Sequence, residues 1–328
     1  MLTGTLFALA AGLMWGLVFI TPLLLPQYPA AMLSFGRYLA FGVIALPLAW
    51  LDRQRIAQLT RADWLEATKL ALVGNIIYYV CLAAAIQRAG GPLPTMIIGT
   101  LPVVIALASN RRDAARDGRL PWLQLLPSLL LIGSGIALVN QVELKHLQAA
   151  GGVDIGRYAV GALLAVVAVV CWTWYPLRNA DWLRAHPDRS PSTWATAQGI
   201  ATLPLALVGY GLLWIWVAWW SPDAAADVTG STALVMPFGP TPALYIGLML
   251  ALGLFASWLG TLCWNEASQR LPTTLAGQLI VFETLAALAY AFVLRGKPPE
   301  ALTLTGIALL VAGVLTALRR RPTPLMQS

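Results

Sequence analysis

The sequence predicts an all-α polytopic membrane protein, with ten transmembrane helices arranged as two inverted five-helix repeats. Three observations predict it. Only 11% of the 328 residues are charged and 59% are hydrophobic, with a mean hydropathy of +0.72. A soluble domain carries roughly 25% charged residues, so too little polar material is present to coat a soluble surface. The apolar residues gather into ten segments, and a membrane helix needs about 20 such residues. Parts of the first five segments recur in the second five.

The elements follow in order. Span one covers residues 2–25; its apolar run is too long, and its start too free of basic residues, for a cleaved leader, so it is expected to remain as a span. Spans two to five cover 30–51, 65–87, 93–109 and 121–140. Spans six to ten cover 157–175, 192–220, 242–267, 273–294 and 302–318. Backbone polar groups in lipid must pair within their own segment, which favours helices. Barrel strands would instead alternate over about ten residues. Trp214, Trp216, Trp219 and Trp220 end span seven. Indole rings favour the interface, so they mark its exit from the bilayer. Cys81, Cys171 and Cys263 lie in apolar stretches without metal spacing and read as small buried hydrophobes.

The net charge of +7 is a matter of topology rather than of nucleic-acid binding. With the N-terminus inside, fourteen loop Lys and Arg residues fall on the cytoplasmic side and five on the other. The inner set includes Arg53, Arg55, Arg61, Arg178, Arg184 and the closing Arg319, Arg320 and Arg321. The loop 221–241 carries Asp223 and Asp227 and no basic residue. This is a positive-inside pattern. It implies cytoplasmic termini in a bacterial inner membrane.

Residues 6–20 (LFALAAGLMWGLVFI) match 163–177 (LLAVVAVVCWTWYPL), which sets Trp15 opposite Trp172. At an offset of 182, Cys81 falls on Cys263, Ala85 on Ala267, Gln87 on Gln269 and Arg88 on Arg270. The repeats are therefore expected at 1–150 and 151–328. Five spans each is an odd number, so the second repeat is inverted. Inverted repeats are typical of alternating-access carriers with a site near the midplane.

The A-x-x-x-x-W pattern in the first span of each half and the closing TGIALLVAGV at 305–314 resemble the drug/metabolite transporter superfamily, EamA type. The stretches YYVCLAAAIQRAGGPLPTM at 78–96 and CWNEASQRLPTTLAGQLIVFETLAAL at 263–288 are similar to YddG-like aromatic amino-acid exporters. The resemblance implies an exporter of aromatic or large neutral amino acids, with drugs, nucleobases and other metabolites as alternative cargo. Many relatives close spans four and nine with an acid after a Gly. Here those ends read Asn110-Arg111-Arg112 and Arg295-Gly296-Lys297, so no role of that acid is carried over.

Charges at membrane depth are costly and need a reason. Glu283 lies about ten residues, roughly 15 Å, into span nine. Arg37 lies about seven residues, roughly 10 Å, into span two from the other face. Glu283 is a candidate for proton coupling or for binding a substrate amine, with a structural carboxylate as the alternative. Arg37 is a candidate carboxylate ligand, with anchoring of span two as the alternative. Trp15, Asn75, Tyr78, Tyr79, Met96, Trp172, Trp174, Tyr175, Trp258 and Gln278 are candidate substrate-binding residues. Rings and amides together suit a small amphipathic ligand. Pro47, Gly99, Pro102, Pro204 and Gly277 are candidate hinges, since Pro and Gly mark where helices bend. Gly133, Gly135, Gly306 and Gly313 read as sites of close helix packing.

No H-E-x-x-H, G-x-S-x-G or P-loop pattern occurs. The expected protein is thus not an enzyme or an ATP-driven pump, with no cofactor and no metal. Its expected partners are a small-molecule substrate and the lipid bilayer, with protons as an optional coupling ion. No nucleic acid is expected, and the default assembly is a monomer. A channel-like membrane protein is the competing class, separated from a carrier by counterflow.

Overall fold

The computed structural model describes residues 2–90, 92–112, 122–149, 154–219, 236–271, 273–296 and 299–318. Trp220, Asp223, Asp227, Lys297, Arg319, Arg320 and Arg321 lie outside them, as do the side chains of Asn110, Gln278 and Arg295. Every regular element among the described residues is helical.

The first half runs α1 (Leu2–Leu24), α2 (Ala30–Leu51), the short α3 (Arg53–Ile56) and α4 (Arg61–Leu70). A π-helical stretch, Ala71–Ile77, continues into α5 (Tyr78–Ala89). Then come α6 (Pro92–Ile98), α7 (Leu101–Arg112) and α8 (Trp122–Ala149). The second half runs α9 (Ile155–Ala185), α10 (Pro191–Trp219) and α11 (Pro242–Ala251), followed by a second π stretch, Leu252–Leu259. It ends with α12 (Gly260–Arg270), α13 (Thr273–Leu279), α14 (Val281–Arg295) and α15 (Ala301–Leu318).

Among the described residues, seven helices are long and apolar enough to cross a membrane: Leu2–Leu24, Ala30–Leu51, Arg61–Ala89, Ile155–Ala185, Pro191–Trp219, Pro242–Arg270 and Leu275–Leu294. Three shorter apolar helices, Leu93–Ile105, Leu126–Val139 and Ala301–Gly313, accompany them. Leu163, Val170, Leu207, Leu212 and many others leave large side chains exposed on the periphery. Such a surface fits lipid rather than water.

Several helices depart from the sequence expectation, the fifth among them, which runs on to Ala149 rather than ending at 140. The third segment begins at Arg61 rather than 65, because Thr60 and Asp63 form a capping box that satisfies orphan amides at the helix start. The sixth extends to Ala185 rather than 175. Its added polar turns are tied down, with Arg178 donating to Glu66 at 2.5 and 3.2 Å. The ninth is interrupted at Ile280. Gly277, expected to mark that bend, instead lies inside α13 against Ile105. The fourth breaks at Gly99 and Thr100, just ahead of Pro102. Pro47 and Pro204 lie within α2 and α10.

The irregularities come in pairs. The π stretches begin at residues 71 and 252, and the helix breaks fall at 99–100 and 280, all close to the offset of 182. Packing is paired too: α2 lies on α10, α8 on α15 and α7 on α13. The contact of α1 with α12 is mirrored by that of α9 with α5.

Candidate functional site

Arg37 and Glu283 face one internal cavity, among Trp15, Tyr38, Asn75, Tyr78, Trp172, Ser257 and Thr261. Val18 and Ala256 complete its lining. The residues come from α1, α2, α5, α9, α12, α14 and both π stretches. Its free volume is about 10 Å³, room for roughly one water. Arg37, Tyr78, Trp172 and Glu283 are each 6% exposed or less, so the cavity is closed off from the surroundings.

The two charges are held differently. Arg37 Nε donates to Ser257 Oγ at 2.9 Å, and Nη2 donates to the Ala256 carbonyl at 3.3 Å. Both acceptors belong to the second π stretch, and π irregularities often sit at functional sites. The guanidinium also lies 4.9 Å from the Tyr38 ring centroid and 4.7 Å from that of Tyr79, within cation–π range. Arg37 Nη1 has no hydrogen-bond partner.

Glu283 stands in the first turn of α14, because the helix restarts at Val281. A carboxylate there meets the positive end of the helix dipole. The Tyr78 hydroxyl donates to Glu283 Oε1 at 3.5 Å, while Oε2 has no partner. The backbone of α1 closes on this break at Gly12, where an added Cβ would stand 3.1 Å from the Glu283 amide nitrogen. No ion pair joins Arg37 to Glu283 among the described residues. A buried, incompletely satisfied charge is expensive unless something completes it.

The walls are aromatic, with Trp172 at their centre. It stacks on Tyr78 (4.6 Å, 17°) and on Tyr175 (5.0 Å, 7°), and meets Trp15 edge-on at 5.0 Å. Trp172 Nε1 is buried and lies close to the Glu283 carboxylate, without meeting it in good hydrogen-bond geometry.

Outside this lining, a ring stack stands toward each end of the helices. At one end Tyr28 stacks on Tyr245 (4.9 Å, 3°). The Tyr28 hydroxyl donates to the Phe238 carbonyl at 2.9 Å and accepts from the Thr241 amide at 2.8 Å. Tyr210 donates to the Pro237 carbonyl nearby. At the other end Trp182 stacks on Trp194 (3.4 Å, 7°). Trp182 Nε1 donates to Asp63 at 2.9 Å, and Trp194 Nε1 donates to Asn179 at 2.9 Å. Asn179 donates in turn to Asn265 at 2.9 Å.

An internal polar cavity walled by rings is thus set among the helices of both halves. Residues 2–141 match the family described as the EamA-like transporter family. Over 329 aligned residues the chain is 54% identical to "Inner membrane protein YtfF" of Escherichia coli (strain K12), covering 100% of this chain and 99% of that protein. The chain belongs to the EamA-like transporter family. It is an integral protein of the bacterial inner membrane. A crystal structure with 19% identity superposes with a TM-score of 0.66, covering 97% of this chain and 99% of the other, and shows the same fold.

Within this EamA-like transporter, six of the sequence-predicted residues meet at the cavity: Trp15, Arg37, Asn75, Tyr78, Trp172 and Glu283. Tyr79 and Tyr175 stand one layer behind, their hydroxyls donating to the Val18 carbonyl (3.4 Å) and to Gln198 (2.7 Å). Trp258 donates to Thr196 at 3.1 Å outside the lining. Met96 and Trp174 also lie outside it. Tyr38, Ser257 and Thr261 were not anticipated. Ser257 had a signal, since it falls 182 residues after Asn75.

Proposed function

We propose that this EamA-like chain is a secondary transporter that exports zwitterionic amino acids, aromatic or large neutral, by alternating access. One observation carries the reading. An unpartnered cationic donor, Arg37 Nη1, and an unpartnered carboxylate oxygen, Glu283 Oε2, are buried in the same aromatic cavity. An α-carboxylate completes the first and an α-ammonium completes the second. Trp15, Tyr78 and Trp172 offer ring faces to an apolar side chain.

The cavity has room for about one water, so the described conformation is occluded and must widen to admit cargo. The paired π stretches and helix breaks support two inverted repeats, 1–150 and 151–328, with all ten apolar segments crossing the membrane. The positive-inside count supports cytoplasmic termini, which puts the Trp182–Trp194 closure inside and the Tyr28–Tyr245 closure outside. Pro47, Gly99, Pro102 and Pro204 are the expected flexing points. One chain holds the whole cavity, which supports a monomer.

The test is counterflow in proteoliposomes, using a panel of labelled amino acids with and without a pH gradient. Saturable exchange of phenylalanine or leucine, but not of phenethylamine or phenylacetate, is expected. Exchange of amine-only or carboxylate-only analogues at the same rate would overturn the zwitterion reading. Flux that does not saturate would point to a channel.

A further inference from the structure

A second cavity lies at the Arg184 end of the helices, the end assigned above to the cytoplasm. Ile105 of α7, Pro176 and Arg184 of α9, Trp264 and Ser268 of α12, and Gly277 of α13 line it. None of these is a residue of the central cavity. Trp264 and Ser268 are each 2% exposed, and their Nε1 and Oγ atoms are buried without a hydrogen-bond partner. An indole N–H can only donate, and a hydroxyl donates readily. Arg184 adds a cation, with Nη2 donating to the Leu271 carbonyl at 3.4 Å. Among the described residues, no carboxylate lines the pocket.

Two buried donors waiting for an acceptor, beside a guanidinium, suit a small oxyanion. Ile105, Pro176 and the Trp264 ring face the same space and suit an apolar body. The pocket has room for about one water, so it must widen to take a carboxylate. The body must part the seam where α13 touches α7 at Gly277 and Ile105. The same Trp264 ring meets Trp15 at 5.3 Å, so one indole divides this pocket from the central cavity.

We propose that this pocket is a second binding site, for the carboxylate of a small amphipathic acid that needs no amine. Trp264 Nε1 and Ser268 Oγ donate to its oxygens and Arg184 balances its charge. The assignment stands on these residues alone and does not depend on the amino-acid reading of the central cavity.

The test is equilibrium binding of labelled phenylacetate to the full chain in phosphatidylcholine nanodiscs. Saturable binding is expected. Ser268→Ala and Trp264→Phe, which delete one donor each, should weaken it about 3- to 10-fold. Arg184→Gln should weaken it at least about tenfold. Ser268→Ala removes one oxygen and keeps the test valid if the Arg184 variant fails to fold. Absence of saturable binding would overturn the proposal. So would binding lost with Arg37→Gln but kept with Ser268→Ala, which would put the acid in the central cavity. Displacement of phenylacetate by phosphatidylglycerol in the nanodisc would assign the pocket to a lipid headgroup and overturn it as well.

Discussion

Arg37 reaches across from α2 to Ser257, its Nε standing 2.9 Å from the hydroxyl in the second π stretch. Ser257 is the offset-182 counterpart of Asn75 in the first π stretch, and Asn75 donates to Thr202 at 3.1 Å. Each π stretch therefore turns one polar side chain toward the cavity and ties the cavity to the facing α2 or α10. The bond from Arg37 aims the guanidinium and leaves Nη1 without a partner.

Removing that aim has a predictable cost. A hydrogen bond to a charged group contributes about 1.5–3 kcal/mol. Ser257→Ala is expected to raise the half-saturation concentration in counterflow about tenfold or more. Arg37→Lys should fare worse than Ser257→Ala, because an ammonium cannot reproduce the fork that reaches Ser257 and the Ala256 carbonyl together. An Arg37→Lys variant with unchanged counterflow would show that the guanidinium only fills space.

Glu283 carries the complementary prediction. Glu283→Gln keeps the shape and the helix-start position but loses the negative charge. Zwitterion counterflow should fall about 10- to 100-fold. If the carboxylate also exchanges protons, the rate of the native chain varies between pH 6 and 8 and the residual rate of Glu283→Gln does not. Equal rates and equal pH profiles for the two proteins would remove Glu283 from both binding and coupling.

Much of this was legible in the sequence, and the residues show why. Trp15, Trp172, Arg37 and Glu283 could be picked out because the repeat or the cost of burial singled them out. The ends of the helices were less legible. Arg178 reads as a loop residue by charge alone, until its pairing with Glu66 lets the helix continue past it. The π stretches were invisible, because a staggered ladder leaves no mark in hydrophobic periodicity. Trp174 and Trp258 resemble Trp172 in type and position, yet point elsewhere, since one residue along a helix turns a side chain by about 100°.

The two closures are chemically unlike, which makes them separable. The Tyr28 end is held by neutral hydroxyl bonds and ring stacking. The Trp182 end adds ion pairs, with Arg178 on Glu66 and Arg112 on Asp181 at 2.8 Å. Tyr28→Phe keeps the stack and removes the bonds to Phe238 and Thr241. In a Cys-free background carrying Ser257→Cys, that change should speed labelling by an impermeant thiol reagent from the Tyr28 side several-fold. Glu66→Gln should instead speed labelling from the Trp182 side. High salt should loosen the Trp182 end through the exposed Arg112–Asp181 pair and leave the Tyr28 end unaffected, because ions screen exposed charge pairs. Identical responses to the two substitutions would mean that the ends do not open independently.

The packing of α8 on α15 gives a test with an internal control. At Gly135 an added Cβ would stand 2.5 Å from the Gly306 carbonyl oxygen, and at Gly306 it would stand 2.8 Å from the Gly135 carbonyl oxygen. Backbone meets backbone there, so neither side can yield by turning a side chain. Gly133, two residues away, has nothing within 4 Å of its added Cβ, which corrects the expectation that it too serves close packing. Gly135→Ala should therefore cost about 1–3 kcal/mol through overpacking, read as a lower midpoint of thermal unfolding in detergent. Gly133→Ala should be neutral or slightly stabilising, since Ala is the better helix former. Neither α8 nor α15 contributes a side chain to the central cavity. Gly135→Ala should accordingly lower the amount of folded protein while leaving the half-saturation concentration for cargo unchanged. A shift in that concentration would tie the α8–α15 pair to the transport cycle itself.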